Sequence, residues 1–187
     1  MEDAHPAQED VALRLWTGRD LWLMARLLSD PVMTAHIGGP ESPEQLRRRL
    51  DRYVEGDGPG TGEMYVIVLG LQRVPVGSVG FWPVQWQGEP AWETGWAVLP
   101  EFQGRGIGTR GTSLVVERAR EAGGRGSIHA YPAIDNGPSN AVCRKVGFSL
   151  LGQVDVEYPA GNPMRCNDWA LDLDGAPPGS ESGIVPG

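Results

Sequence analysis

Apolar and polar side chains alternate from Val11 to Trp16, which predicts a first strand. Asp20 to Ser29 has helical periodicity, with Leu21, Met24, Ala25 and Leu28 on one stripe; Asp30-Pro31 closes it and Gly38-Gly39-Pro40 breaks the chain. Ser42-Pro43-Glu44-Gln45 then opens a second helix. Ser42 is its N-cap, Pro43 its first helical residue and Gln45 the capping-box partner, and Leu46, Leu50, Tyr53 and Val54 form its apolar stripe. After a Gly/Asp turn over Glu55 to Gly62, Met64 to Leu69 and Val74 to Phe81 read as paired strands around Gly70 to Arg73, with Pro75 at the start or exposed edge of its strand. Gln85 to Pro90 reads as the linker to a strand from Ala91 to Leu99, which stops at Pro100.

A helix follows the glycines, with Ile107, Gly111, Leu114, Val115, Arg118 and Ala122 at helical spacing, and Gly123-Gly124 ends it. Ser127 to Tyr131 is the next strand, and the strand-helix-strand order implies a locally parallel pair. Asn136-Gly137-Pro138 starts a short helix that ends at Gly147, and Phe148 to Glu157 and Arg165 to Leu173 form a final antiparallel pair. The expected organisation is a flexible N-terminus over residues 1–10, one α/β domain over 11–174, and a disordered tail, rich in Pro, Gly and Ser, over 175–187.

The formal charge of −8 argues against a general nucleic-acid binder, which would carry a basic footprint. Two cysteines, Cys143 and Cys166, make no disulfide framework. No apolar run approaches a membrane span and the first residues are acidic and polar, so the expectation is a cytoplasmic protein without a membrane partner. There is no metal-ligand cluster and no G-x-S-x-G nucleophile motif. The arginine run 47–49 reads as a solvated helix face rather than a phosphate site.

The chemistry-bearing stretch is Gln103-Gly104-Arg105-Gly106-Ile107-Gly108-Thr109, between a strand and a helix. Glycines at alternate positions let the backbone approach a ligand, and the first turn of the helix leaves N–H groups without intrahelical partners. With the helix dipole, such a loop suits a phosphate or pyrophosphate, and Arg105 and Arg110 add charge. A Walker A loop is excluded because no Gly-Lys-Ser/Thr follows. Gly106-x-Gly108-x-x-Gly111 satisfies the dinucleotide fingerprint formally, but Pro100, Glu101, Phe102 and Gln103 separate the strand from the glycines, and too little chain follows for a doubly wound sheet.

The run V-x-P-x-x-Q-G-x-G-x-G, Val98 to Gly108, resembles the coenzyme-binding motif of the GNAT family of N-acetyltransferases. Asn136 to Phe148 resembles the N-x-x-S…GF segment of the branch that acetylates ribosomal-protein N-termini and of its small-molecule relatives. Residues 30–50 resemble that branch too, in which the two helices wall the acceptor site. The resemblance implies a mixed sheet of six to seven strands flanked by about four helices, with a splayed strand pair forming the coenzyme cleft. It implies acetyl-coenzyme A as cosubstrate, a monomer or homodimer, and acetyl transfer to an amine. Trp96, Val98, Gln103, Gly104, Arg105, Gly106, Ile107, Gly108, Thr109, Asn136 and Arg144 are then the coenzyme-binding candidates. Glu93 is the candidate base, or else a carboxylate that orients the acceptor's cation; Ser139 is a helper at the leaving thiolate. Trp82, Trp86, His129 and Tyr131 are the acceptor-side candidates, for a small-molecule amine in preference to a protein N-terminus. A non-catalytic coenzyme A sensor is the alternative of a different class, because Cys143 stands where many members place a tyrosine acid.

Overall fold

The computed structural model describes residues 10–56, 60–158 and 161–175; the expected N-terminal segment, save residue 10, and the tail beyond 175 lie outside them. The elements, in chain order, are β1 (Val11–Leu15), α1 (Leu21–Leu28), α2 (Pro43–Glu55), β2 (Glu63–Leu69), β3 (Val74–Trp86), β4 (Glu89–Val98), α3 (Ile107–Ala122), β5 (Ser127–Ala130), α4 (Gly137–Val146), β6 (Ser149–Glu157) and β7 (Pro163–Asp172). The strands form one sheet in the order β1-β2-β3-β4-β5-β7-β6. Every neighbouring pair is antiparallel except β4 and β5, the parallel pair implied by the intervening helix.

Two cores lie on the two faces of this sheet. Alternate residues of β2 show the division: Tyr65, Ile67 and Leu69 join the core with Ile107, Val115 and Ala119 of α3 and Cys143 of α4, whereas Val66 and Val68 join Leu23, Met24 and Leu27 of α1 and Leu46 and Leu50 of α2. A strand buried on both faces must be apolar at successive positions, hence the run Val66-Ile67-Val68-Leu69.

The capping box of α2 is present: Gln45 N–H donates to Ser42 Oγ at 3.3 Å and Ser42 N–H to Gln45 Oε1 at 2.7 Å. Two helical stripes are rotated from those expected. In α1 the buried residues are Leu23, Met24 and Leu27; in α3 they are Ile107, Gly111, Thr112, Val115, Val116 and Ala119, with Leu114 and Arg118 facing out. Small residues decide the α3 face. A Cβ on Gly111 would meet Ile67 Cδ1 at 2.9 Å, so the helix lies against the sheet where the side chain is absent.

The stretch Gln85 to Pro90 is not a linker. β3 and β4 continue as a hairpin to Trp86↔Glu89, joined by the two-residue turn Gln87-Gly88 at φ 50° and 88°, the primed geometry that suits strand twist. Prolines concealed this. Pro83 lies beyond Phe81, where β2 stops pairing with β3, and Pro90 lies before Trp92, where β5 starts pairing with β4. Each proline therefore occupies a strand segment with one neighbour. Pro75 lies at the start of β3, at a bulge opposite Ile67/Val68, and pairs there with β2 alone because the ladder with β4 begins at Gly77.

Candidate functional site

The site begins where the parallel pair ends. β4 and β5 share only Trp92↔Ile128 and Glu93↔His129, so the rest of β4 has no partner on that edge among the described residues. Leu99 N–H donates to Val76 O at 2.9 Å, toward β3, and successive peptide groups of a strand point to opposite edges. The peptide groups of Trp96 and Val98 therefore face the gap. Gln103 Nε2 donates to Val98 O at 2.8 Å, which anchors the following loop to the gap edge.

That loop turns left-handed at Gly104 and Gly106 (φ 75° and 77°), and a Cβ on either would meet nothing within 4 Å. Gly106 caps α3 without a side-chain hydrogen bond, and the first intrahelical bond is Arg110 N–H to Gly106 O at 3.0 Å. The N–H groups of Ile107, Gly108 and Thr109 thus have no intrahelical acceptor and point out of the helix start. Arg105 is exposed, with its guanidinium 5.4 Å from the Phe102 ring. The Ile107 side chain is buried in the core, so only its peptide is available to a ligand. Gly108 sits between the strand and α4: a Cβ there would touch Val142, Trp96 and Val98 at 3.6–3.8 Å.

Glu93 lies at the fork. Burial pushes its carboxyl up to about 7, opposed by a hydrogen bond from the Trp82 indole. Gly95 makes room for that indole, since a Cβ on Gly95 would meet Trp82 Cη2 at 2.9 Å. Trp82 thus lies over Gly95 with its indole on the Glu93 carboxylate.

Trp86, Glu93 and Tyr131 do line a common cavity of about 670 Å³, closed by β6 residues such as Gln153 and Val156 and by Asp168 of β7. Trp86 Nε1 donates to Asp168 Oδ2 at 3.0 Å, while Asp168 Oδ1 lies 2.8 Å from His129 Nδ1. The His129 ring is 1% exposed, 4.9 Å from Trp86 and 6.0 Å from Tyr131 between ring centroids. It packs against both aromatics and is not among the residues that line the cavity. Burial and the neighbouring Asp168 and Glu93 carboxylates raise the Tyr131 phenol above its usual range.

On α4, Asn136 Oδ1 accepts from Ser139 N–H at 3.1 Å, the N-cap bond of the helix, so this oxygen is engaged in capping. Ser139 is half-buried in the first turn, and Arg144 is exposed, 5.8 Å from the Trp169 ring. Cys143 is fully buried and its thiol is pushed up to about 12 by burial.

Two residues escaped the sequence reading. Asn140 is a buried hub: Nδ2 donates to Ala133 O and Asn136 O, and Oδ1 accepts from Asn167 and Trp169. Asp168 sits in a strand with no motif around it, and only its cross-strand partners reveal it. In the arginine run Arg47 and Arg48 are exposed, as expected of a solvated face, whereas Arg49 is half-buried, bonded to Glu41 and, at 3.1 Å, to the Tyr53 hydroxyl. Among the described residues no group of His, Cys, Asp and Glu is placed to hold a metal ion, and no helix is long and apolar enough to cross a membrane.

The family model of the acetyltransferase (GNAT) domain matches residues 10–149. No curated protein matches the sequence significantly. Among solved structures, an acetyltransferase of the GNAT family from Bacillus anthracis superposes with a TM-score of 0.74 at 19% identity, covering 90% of this chain and 98% of that one. The acetyltransferase from Salmonella typhimurium that modifies the N-terminal serine of ribosomal protein L7/L12 gives 0.72 at 22% identity, covering 87% and 94%. Spermidine N-acetyltransferase from Vibrio cholerae, solved with coenzyme A and spermine, gives 0.72 at 16% identity, covering 88% and 96%.

Proposed function

The chain belongs to the GNAT acetyltransferase family, and on that premise we propose that it transfers the acetyl group of acetyl-coenzyme A to the amine of a small molecule by direct attack. The observation that carries this reading is the gap after Glu93↔His129, with the start of α3 at its other end. The pyrophosphate would rest on the N–H groups of Ile107, Gly108 and Thr109, over the open space at Gly104 and Gly106. The pantetheine arm, which carries amides, would pair with the peptide edge of Trp96 and Val98 as an added strand. Val98 O already accepts from Gln103, so the Val98 N–H and the Trp96 peptide are the groups left to it. The Vibrio cholerae relative holds coenzyme A on the same fold.

In the reaction the amine nitrogen attacks the thioester carbonyl carbon, the C–S bond breaks, and the coenzyme leaves as thiolate. An ammonium must first lose a proton. Glu93, poised at about 7 beside the fork, would accept it directly or through water. A gap-facing peptide N–H of β4 would stabilise the oxyanion. The departing thiol has a pKa near that of free cysteine and needs little help, so the family tyrosine's replacement by Cys143 does not prevent turnover. A thiol pushed up to about 12 is also a poor nucleophile, which supports direct attack without an acyl-enzyme.

A second reading is a coenzyme A-binding sensor, favoured by the buried Cys143 in place of an acid. A third is acetylation of a protein N-terminus, as in the Salmonella relative. Thiol release from acetyl-coenzyme A with a panel of amines and of peptides beginning with Ser or Ala separates the three. Turnover of free amines supports the proposal, faster turnover of peptides supports the third reading, and tight coenzyme binding without turnover supports the second.

A further inference from the structure

A second cavity, about 310 Å³, opens between the α1–α2 connection and α2; Glu41, Arg48, Arg49 and Arg52 are its charged lining residues, three cations against one anion. One wall is Tyr158, just after β6. Tyr158 also lines the cavity that holds Glu93, so one residue borders both spaces. It stands close enough to Arg49 to act on that residue's charge. The larger cavity has the opposite sign: Glu93, Glu157 and Asp168 line it, with no Lys or Arg.

The arginines are not equivalent. Arg49 is paired with Glu41 and bonded to the Tyr53 hydroxyl, so its charge is balanced within the wall and the net positive charge of the lining comes from Arg48 and Arg52. Arg48 pairs with Glu44 one turn back on the surface, both side chains being about three-quarters exposed (72% and 75%). Such an exposed, solvent-screened pair is weak and exchanges readily for another anion. Arg52 stacks over the Tyr53 ring at 5.9 Å, which places its guanidinium on the same wall.

We infer that the acceptor is a small amine bearing an anionic group at its far end, the ammonium lying in the acidic cavity beside Glu93 and the anion against Arg48 and Arg52. The inference rests on the reading of the Glu93 cavity as the acceptor site. It specifies a substrate class that fits both ends: a carboxylate or phosphate is drawn in by the arginines, while a second ammonium is repelled by them. Polyamines are thereby disfavoured, although a relative of the same fold carries spermine.

The test uses straight-chain amino acids with amine and carboxylate at opposite ends, their matched carboxamides, phosphoethanolamine and spermidine. Thiol release with the native protein should favour the anionic amines over the carboxamides by at least about tenfold in kcat/KM; phosphoethanolamine against the amino acids tells phosphate from carboxylate. Arg48→Gln/Arg52→Gln should erase most of that preference while acetyl-coenzyme A affinity holds. Calorimetry of the coenzyme-loaded protein with the same amino acids and carboxamides reads the anion site without catalysis. Selective binding of the acids, lost in the double variant, sustains the inference even if no amine turns over, a result that would instead remove the proposed activity. Equal handling of acids and carboxamides, better turnover of spermidine, faster turnover of an acidic peptide than of any free amine, or a double variant that weakens acids and carboxamides alike overturns it.

Discussion

Glu93 on β4 and His129 on β5 are the last residues paired across the parallel strands before these diverge. The carboxylate therefore stands at the vertex of the gap, under the Trp82 indole, where burial pushes it up to about 7. As a base it must be deprotonated, so kcat/KM for an amine should rise with pH through about 7. Glu93→Gln keeps an acceptor for the indole N–H but cannot take a proton; it should lose about 100-fold or more in kcat and lose that limb of the profile. A Gln variant that keeps the limb would leave Glu93 only an orienting role.

The same carboxylate costs stability. A folded-state value raised from 4.5 to about 7 favours the protonated form, so this contribution is present below about 4.5 and is lost as pH rises through about 7. Denaturant titrations should find Glu93→Gln more stable than the native protein at alkaline pH, by on the order of 2 kcal/mol after allowance for partial exposure. The difference should widen between about 4.5 and about 7 and then level off. Equal stabilities across that window would refute the raised value.

Gly108 tests the coenzyme site. A single Cβ there makes ordinary contacts with Trp96, Val98 and Val142, so Gly108→Ala fits. The two further methyl groups of Gly108→Val would fill the wedge between β4 and α4. Acetyl-coenzyme A affinity should fall at least tenfold, about 1.4 kcal/mol, for Val and much less for Ala, read by calorimetry with circular dichroism as the folding control. Unchanged affinity in Gly108→Val would remove the site from this loop.

Asn140 is a structural counterpart. Its removal leaves the Trp169 and Asn167 side-chain donors without their partner inside the protein, while the Ala133 carbonyl keeps the Asn136 N–H. Asn140→Ala should cost about 2–4 kcal/mol, seen as a lower denaturation midpoint. A loss under about 0.5 kcal/mol would mean that water replaces the amide.

Local signals carried the fold far. Glycines, caps and a strand-helix-strand order located α2, α3 and the parallel pair, because these depend on residues a few positions apart. Misreadings arose where distant pairing overrides local preference. Pro83 and Pro90 looked like breaks, yet they lie in a hairpin arm with one free edge. Trp82 and Trp86 looked alike in sequence; Gly95 on the next strand draws one over Glu93, and Asp168 on β7 holds the other at the cavity. Arg49 looked solvated until Glu41, across the turn before α2, was seen to meet it. The loop at the start of α3 was legible because its turns and helix start depend on neighbouring glycines, whereas the Glu93 cavity is assembled from β3, β4, β6, β7 and Tyr131 just after β5 and has no contiguous motif.

Trp86 is the residue through which that assembly is most directly tested. Its indole is fixed twice, by the hydrogen bond to Asp168 and by the His129 ring 4.9 Å away, and one face is left to the cavity. On the proposed reading, such a flat wall in the Glu93 cavity would favour a compact amine and offer a π-face to its ammonium. Trp86 pairs with Glu89 at the start of β4, whereas the proposed coenzyme loop follows Val98 at its end. Trp86→Ala should therefore raise the acceptor KM about tenfold while acetyl-coenzyme A affinity stays within twofold or so. Trp86→Phe, which keeps the ring but not the hydrogen bond, should recover part of the loss; this separates the wall from its tether to Asp168. Normal KM for free amines in Trp86→Ala would place the acceptor elsewhere, and a matching loss of coenzyme affinity would mean that the hairpin end supports the whole cleft rather than the acceptor alone.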